Sequence, residues 1–92
     1  SNVAAIGTAS GDVCFLNARI SDVDIALHKE AHKNGVIQII PILHEEYSAI
    51  SCGQDGRIIL WDNNYAVKLA FEHTIGKKAV WIEHIAIVYN KG

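Results

Sequence analysis

The chain has 92 residues, enough for one small domain, and half of them are hydrophobic, which supplies a core and excludes a disordered polymer. A net charge of −2 gives no polybasic surface of the kind that gathers nucleic acid or an anionic membrane. No apolar run is long enough to span a bilayer, and residues 1–7 lack the basic start and apolar core of a signal peptide. Ser1 and Asn2 read as a cloning remnant and no initiator Met is present, so a piece of a longer protein is expected.

Strand signals dominate in chain order. Residues 3–7 form a short apolar strand, Ser10, Gly11 and Asp12 a turn, and residues 13–16 a second strand. Residues 17–24 are polar and predict a loop. Residues 25–28 are either a third strand or the start of a helix running to His32. Lys33, Asn34 and Gly35 predict a turn, with Asn34-Gly35 suited to positive φ. Residues 36–42 are rich in β-branched side chains, and Pro41 marks a strand that is ending or lies at an edge. His44, Glu45 and Glu46 break the pattern before a strand over 47–51. Gln54, Asp55 and Gly56 form a tight turn before a strand over 57–61. Asp62 to Asn64 break the chain again, 65–71 alternates as another strand, and 74–78 is a loop. Residues 79–82 and 85–89 close the sequence as strands. Short strands recurring about every ten residues predict an all-β sandwich, barrel or propeller.

A repeat narrows the choice. Residues 4–17 lie over 49–62 without a gap, so that Gly11 falls on Gly56, Val13 on Ile58, Leu16 on Trp61 and Asn17 on Asp62, 45 residues apart. A weaker echo pairs Ala31-His32 with Glu72-His73, 41 residues apart. Spacings of this size, with four short strands per unit, belong to propeller blades.

The stretch from His32 through Ser51, Asp55 and Gly56 to Trp61 and Asp62 resembles one blade of a WD-repeat β-propeller. In that family a His after the outermost strand, a hydroxyl on the second strand, an Asp in the tight turn and a Trp on the third strand form a buried hydrogen-bonded tetrad. The resemblance implies that these are His32, Ser51, Asp55 and Trp61; Ala31 stands where the family usually has Gly. The chemistry of the four types supports the pattern by itself. A buried Trp has only an N–H to donate, a hydroxyl both accepts and donates, an imidazole links onward, and a carboxylate ends the chain as acceptor. The upstream hairpin departs: Gly7 is read at the position of Ser51, Ser10 at that of Asp55, and Leu16 at that of Trp61. The expected architecture is a partial propeller of about two blades built from four-stranded antiparallel sheets. Residues 1–31 are a degenerate blade lacking its first strand, 32–72 a complete blade, and 73–92 the start of a third. A closed propeller needs at least four blades, so either further blades or further copies are expected to complete it.

Other chemistry is weaker in the sequence. His28 and His32 would share a helix face as a metal pair, but Lys29 stands where a zinc protease needs Glu. His44, Glu45 and Glu46 read as a polar turn ahead of a cation site. Ser51, His32 and Asp55 suggest a nucleophilic site, which would require an exposed Ser and an oxyanion hole. Cys14 and Cys52 have no C-x-x-C spacing and read as two buried thiols in strands of an intracellular protein. The expected function is therefore a non-catalytic protein–protein interaction scaffold in a multi-subunit complex, with no cofactor and no metal. Its partners are other proteins or the remaining blades of the same propeller. By resemblance, the partner-facing positions are Lys33, Asn34, Gln54, Lys77 and Lys78, with Ala9 in the upstream unit. One alternative is a fragment that self-assembles into a closed ring. Another is a small metal-dependent hydrolase using His28, His44 and Glu45.

Overall fold

The computed structural model describes residues 2–18, 22–72, 74–75, 78–79 and 88. The protein is all-β, with no helix among the described residues and therefore none long and apolar enough to cross a membrane. Nine strands appear among these residues: β1 (Asn2–Gly7), β2 (Val13–Ala18), β3 (Val23–His28), β4 (Val36–Pro41), β5 (Tyr47–Gly53), β6 (Arg57–Asp62), β7 (Val67–Glu72), β8 (Thr74–Ile75) and β9 (Lys78–Ala79). They form an antiparallel three-stranded sheet β1-β2-β3, an antiparallel four-stranded sheet β4-β5-β6-β7 and a small β8-β9 hairpin. Neighbours in sequence are neighbours in each sheet, as short connections favour.

The strand pattern places the core between the first two sheets. Residues facing each other across a ladder share a face. Phe15 and Val13 of β2 are buried and pack with Ala49, Ile59 and Trp61 of the second sheet. Phe15 meets Trp61 edge-on, with ring centroids 5.3 Å apart, and stacks on Tyr65 at 5.0 Å. Backbone hydrogen bonds add to this packing at the turns. His32 N donates to Gly11 O at 2.9 Å and Val36 N to Thr8 O at 3.0 Å, so the first hairpin is tied to the chain that enters β4. Gly11 is needed there twice over. Its φ is 90°, and a Cβ on it would lie 1.9 Å from the His32 carbonyl oxygen.

Several expectations change. Residues 25–28 belong to a strand, and no helix runs on to His32: Cys14, Phe15 and Leu16 of β2 pair with Leu27, Ala26 and Ile25. The polar stretch 17–24 is shorter as a loop, because Asn17 pairs with Asp24 and Ala18 with Val23. Residues 74–78 are no simple loop, since Thr74 and Ile75 pair with Ala79 and Lys78. The positive φ falls not at Asn34-Gly35 but at Gly11, Glu30, Gly56 and Tyr65. Glu30 adopts φ 52° where its N–H is caught by Asp12 Oδ1, 2.9 Å away. Of the two thiols, Cys52 is buried and Cys14 only half-buried; both are free. Pro41 ends β4, an edge strand, where its missing N–H does least harm. Of the strands expected over 79–82 and 85–89, Ala79 belongs to β9 and Val88 to no strand, while residues 80–82, 85–87 and 89, with His73, lie outside the described residues.

Candidate functional site

The second sheet brings His32, Ser51, Asp55 and Trp61 together. Ser51 comes from β5, Trp61 from the antiparallel β6, Asp55 from the turn joining them, and His32 from the chain ahead of β4. Gly56, at φ 75°, lets the turn close tightly. Trp61 Nε1 donates to Ser51 Oγ at 2.9 Å, Ser51 Oγ meets His32 Nε2 at 2.9 Å, and His32 Nδ1 meets Asp55 Oδ1 at 3.1 Å.

Donor chemistry fixes the direction of this chain. The Asp55 carboxylate can only accept, so His32 Nδ1 carries the proton donated to it. In the neutral ring Nε2 is then an acceptor, and Ser51 Oγ, which accepts from the indole N–H, donates its own proton to it. Asp55 completes its set with two backbone donors. Arg57 N reaches Oδ1 at 3.0 Å and Lys33 N reaches Oδ2 at 2.8 Å. Burial of Asp55 raises its pKa, but the Lys33 and Arg57 N–H groups and the His32 ring outweigh burial and hold it below the usual carboxylate value. Arg57 Nη1 also donates to Ala31 O at 2.7 Å, bracing the chain beside His32.

Three contributors to this network, Gly53, Arg57 and Lys33, were not assigned that role from the sequence. A Cβ on Gly53 would lie 2.7 Å from His32 Nδ1 and 2.9 Å from Asp55 Oδ1, so a side chain there would occupy the space of that hydrogen bond. The signal was present as a Gly two residues before the turn Asp. Arg57 and Lys33 act through backbone N–H groups, which residue type does not announce. The register also corrects one correspondence. Ile6 pairs with Cys14 as Ser51 pairs with Ile59, so Ile6, not Gly7, stands at the position of Ser51.

The order Ser–His–Asp is that of a nucleophilic site, but the surroundings differ. His32, Ser51 and Trp61 are 0 % exposed and Asp55 is 8 % exposed, and Ser51 Oγ is engaged by the indole N–H as well as by the imidazole. No approach to Ser51 Oγ from solvent exists in this arrangement. The thiol of Cys52, next along β5, is pushed up by burial and by the Asp55 charge, against the lowering effect of a Gln38 backbone hydrogen bond.

The other candidates lie apart. His28 ends β3, packs its ring 4.6 Å from that of Trp61, and places Nε2 2.7 Å from Tyr65 O. It is therefore a contact between the two sheets. His44 stacks on Tyr47 at 4.6 Å and accepts Glu46 N at Nδ1. No group of three or more His, Cys, Asp or Glu side chains suited to a metal occurs among the described residues. Lys33 and Asn34 are exposed and Gln54 is half-buried. Gln54 N donates to Gly35 O at 3.0 Å, and Gly35 approaches both Ala9 and the Gln54 side chain, so these positions share one end of the sheets. Lys78 lies in β9, and Lys77 is outside the described residues. No protein-family model, curated protein or solved structure matches the chain.

Proposed function

We propose that the chain is part of a WD-repeat-like propeller and acts as a non-catalytic protein-interaction scaffold within a larger assembly. The observation that carries this reading is the closed hydrogen-bond chain from Trp61 through Ser51 and His32 to Asp55. Every polar side-chain atom in it is spent on another member or on the adjoining backbone, away from solvent. Such a network rigidifies a turn and specifies a core. In this reading residues 32–72 are one blade, and β1, β2 and β3 are the second to fourth strands of the preceding one. By resemblance the partner-facing positions are the exposed Lys33, Asn34 and Ala9 and the half-buried Gln54, with Lys77 and Lys78 as the corresponding positions of the next unit. The free thiols fit an intracellular setting.

The experiment is exposure of the folded chain to a fluorophosphonate, read by intact mass. An unchanged mass is expected. A phosphonyl adduct on Ser51 would overturn the scaffold reading in favour of a hydrolase.

A second reading, self-assembly of copies into a closed ring, is favoured by the faces turned away from the shared core. Ile40, Ile50, Leu60 and Leu69 form one apolar row across the second sheet, and Leu16 and Ile25 belong to the far side of the first. Leu69 and Ile25 are 54 % and 66 % exposed. Head-to-tail contact between two such faces is heterologous and can close a ring. Light scattering separates the readings: a discrete oligomer of the isolated chain supports the ring, and a monomer refutes it.

A further inference from the structure

A second site lies away from the tetrad, where β4 ends and β5 begins. A cleft of about 480 Å³ opens there between the two sheets, within the range of about 300–1,000 Å³ typical of ligand pockets. Its walls include Val3, Phe15, Pro41, Leu43, Tyr47 and Tyr65, and none of its lining residues is Asp, Glu, Lys or Arg. Phe15 and Tyr65 stack within it. Leu43 is 94 % exposed, leaving a large aliphatic side chain in water at its mouth.

The rim has the opposite character. Glu45 and Glu46 lie in the segment between the lining residues His44 and Tyr47, and both are exposed. Main-chain atoms of this segment are held in place, Asn63 reaching Glu45 O and Glu46 O and His44 Nδ1 accepting Glu46 N at 3.0 Å. An apolar, aromatic-lined cleft bordered by carboxylates complements a bulky apolar side chain flanked by cationic ones. The same carboxylates oppose an anionic lipid surface.

We propose that this cleft binds a short basic–apolar segment of a partner protein, its apolar side chains entering between Phe15, Leu43 and Tyr47 and its Lys or Arg residues lying against Glu45 and Glu46. This goes beyond the scaffold reading by naming a second site and the chemistry of its partner. It rests on that reading only in taking the partner to be a protein.

The test is fluorescence anisotropy of the full 92-residue chain with a labelled Lys-Leu-Trp-Leu-Lys peptide, beside Glu-Leu-Trp-Leu-Glu and Lys-Ala-Ala-Ala-Lys controls. Saturable binding of the first peptide alone is expected, weakened about tenfold by the pair Glu45→Lys and Glu46→Lys and to a similar degree by Leu43→Asp. All three positions are exposed, so circular dichroism should show the strands unchanged. The proposal is overturned by no saturable binding up to about 1 mM, by equal binding of the acidic peptide, or by binding that ignores both variants. Binding to phosphatidylserine vesicles without binding to the peptide would also overturn it. A fluorophosphonate adduct on Ser51 would leave the peptide result standing, and failure of the peptide would leave Ser51 unlabelled, so the two readings fail separately.

Discussion

The two larger sheets repeat one hairpin and secure it by different means. Gly11 and Gly56 occupy the same place in the two turns, 45 residues apart, and both adopt positive φ. In the second sheet the turn is anchored from inside, by Asp55 at the end of a buried chain that begins at Trp61. In the first, Ile6, Ser10 and Leu16 stand at the tetrad positions, and no comparable chain can form. Its turn is held locally and by its neighbour. Thr8 Oγ1 accepts Asp12 N at 3.0 Å, Asp12 Oδ1 accepts Glu30 N, and Gly11 O accepts His32 N. The tetrad is therefore not required for the hairpin's shape. It makes one sheet internally determined, while the other takes its order from packing against that sheet.

The largest expected effect breaks this comparison at its centre. Trp61→Ala should destabilise the chain by about 3–5 kcal/mol, combining a core cavity with the loss of the donor to Ser51. Leu16→Ala, at the equivalent half-buried position, should cost only about 1–2 kcal/mol. Urea denaturation of both variants checks this; equal losses would mean that the sheets do not differ as described.

Gly11→Ala should come next. It imposes a Cβ at positive φ and against the His32 backbone, so a loss of about 1–3 kcal/mol is expected, with the contact between the sheets loosened. Faster amide exchange at His32 and Val36, the donors to Gly11 and Thr8, would report that loosening.

A smaller effect concerns pH. The folded pKa of Asp55 lies below its ordinary value of 3.8. The unfolded chain therefore binds the proton first, and the stability contributed by the ionised carboxylate is fully present above that value. It is lost as pH falls through the lowered folded pKa. Denaturation midpoints measured between about pH 5 and pH 2 should fall more steeply for the natural chain than for Asp55→Asn, which lacks the titrating group.

The smallest effect is chemical. Cys52, buried with a raised pKa, should be alkylated by iodoacetamide more slowly than half-buried Cys14 in the folded chain. Mass mapping of the two sites over time measures the ratio, and equal rates would mean that the second sheet opens as readily as the first.

The all-β fold was legible because β-branched runs and turn residues alternate along the chain. The four tetrad residues were legible because each contributes a side chain of distinctive hydrogen-bonding capacity. Features set by distant contacts were not. Glu30 has no intrinsic reason to adopt a left-handed backbone; the Asp12 carboxylate, 18 residues away in sequence, catches its N–H. Asn34-Gly35 has the composition of a positive-φ turn. Yet Gly35 has no positive φ, and a Cβ on it would meet Ala9 and Gln54 only at ordinary van der Waals distances of 3.4 and 3.6 Å, so neither backbone conformation nor space demands a glycine there. Residues 25–28 left strand and helix open because a short apolar run has no periodicity to separate them; pairing with β2 settles it. The cleft between the sheets had no sequence signature, since its walls come from β1, β2, β4, β5 and the loops beside them.

The tautomer of the His32 ring, read by long-range proton–nitrogen NMR on the folded chain, reports directly on whether the buried hydrogen-bond chain exists. The directed chain from Trp61 to Asp55 requires the proton on Nδ1, with Nε2 accepting from Ser51. A ring carrying its single proton on Nε2 would reverse the Ser51 hydrogen bond and contradict the account.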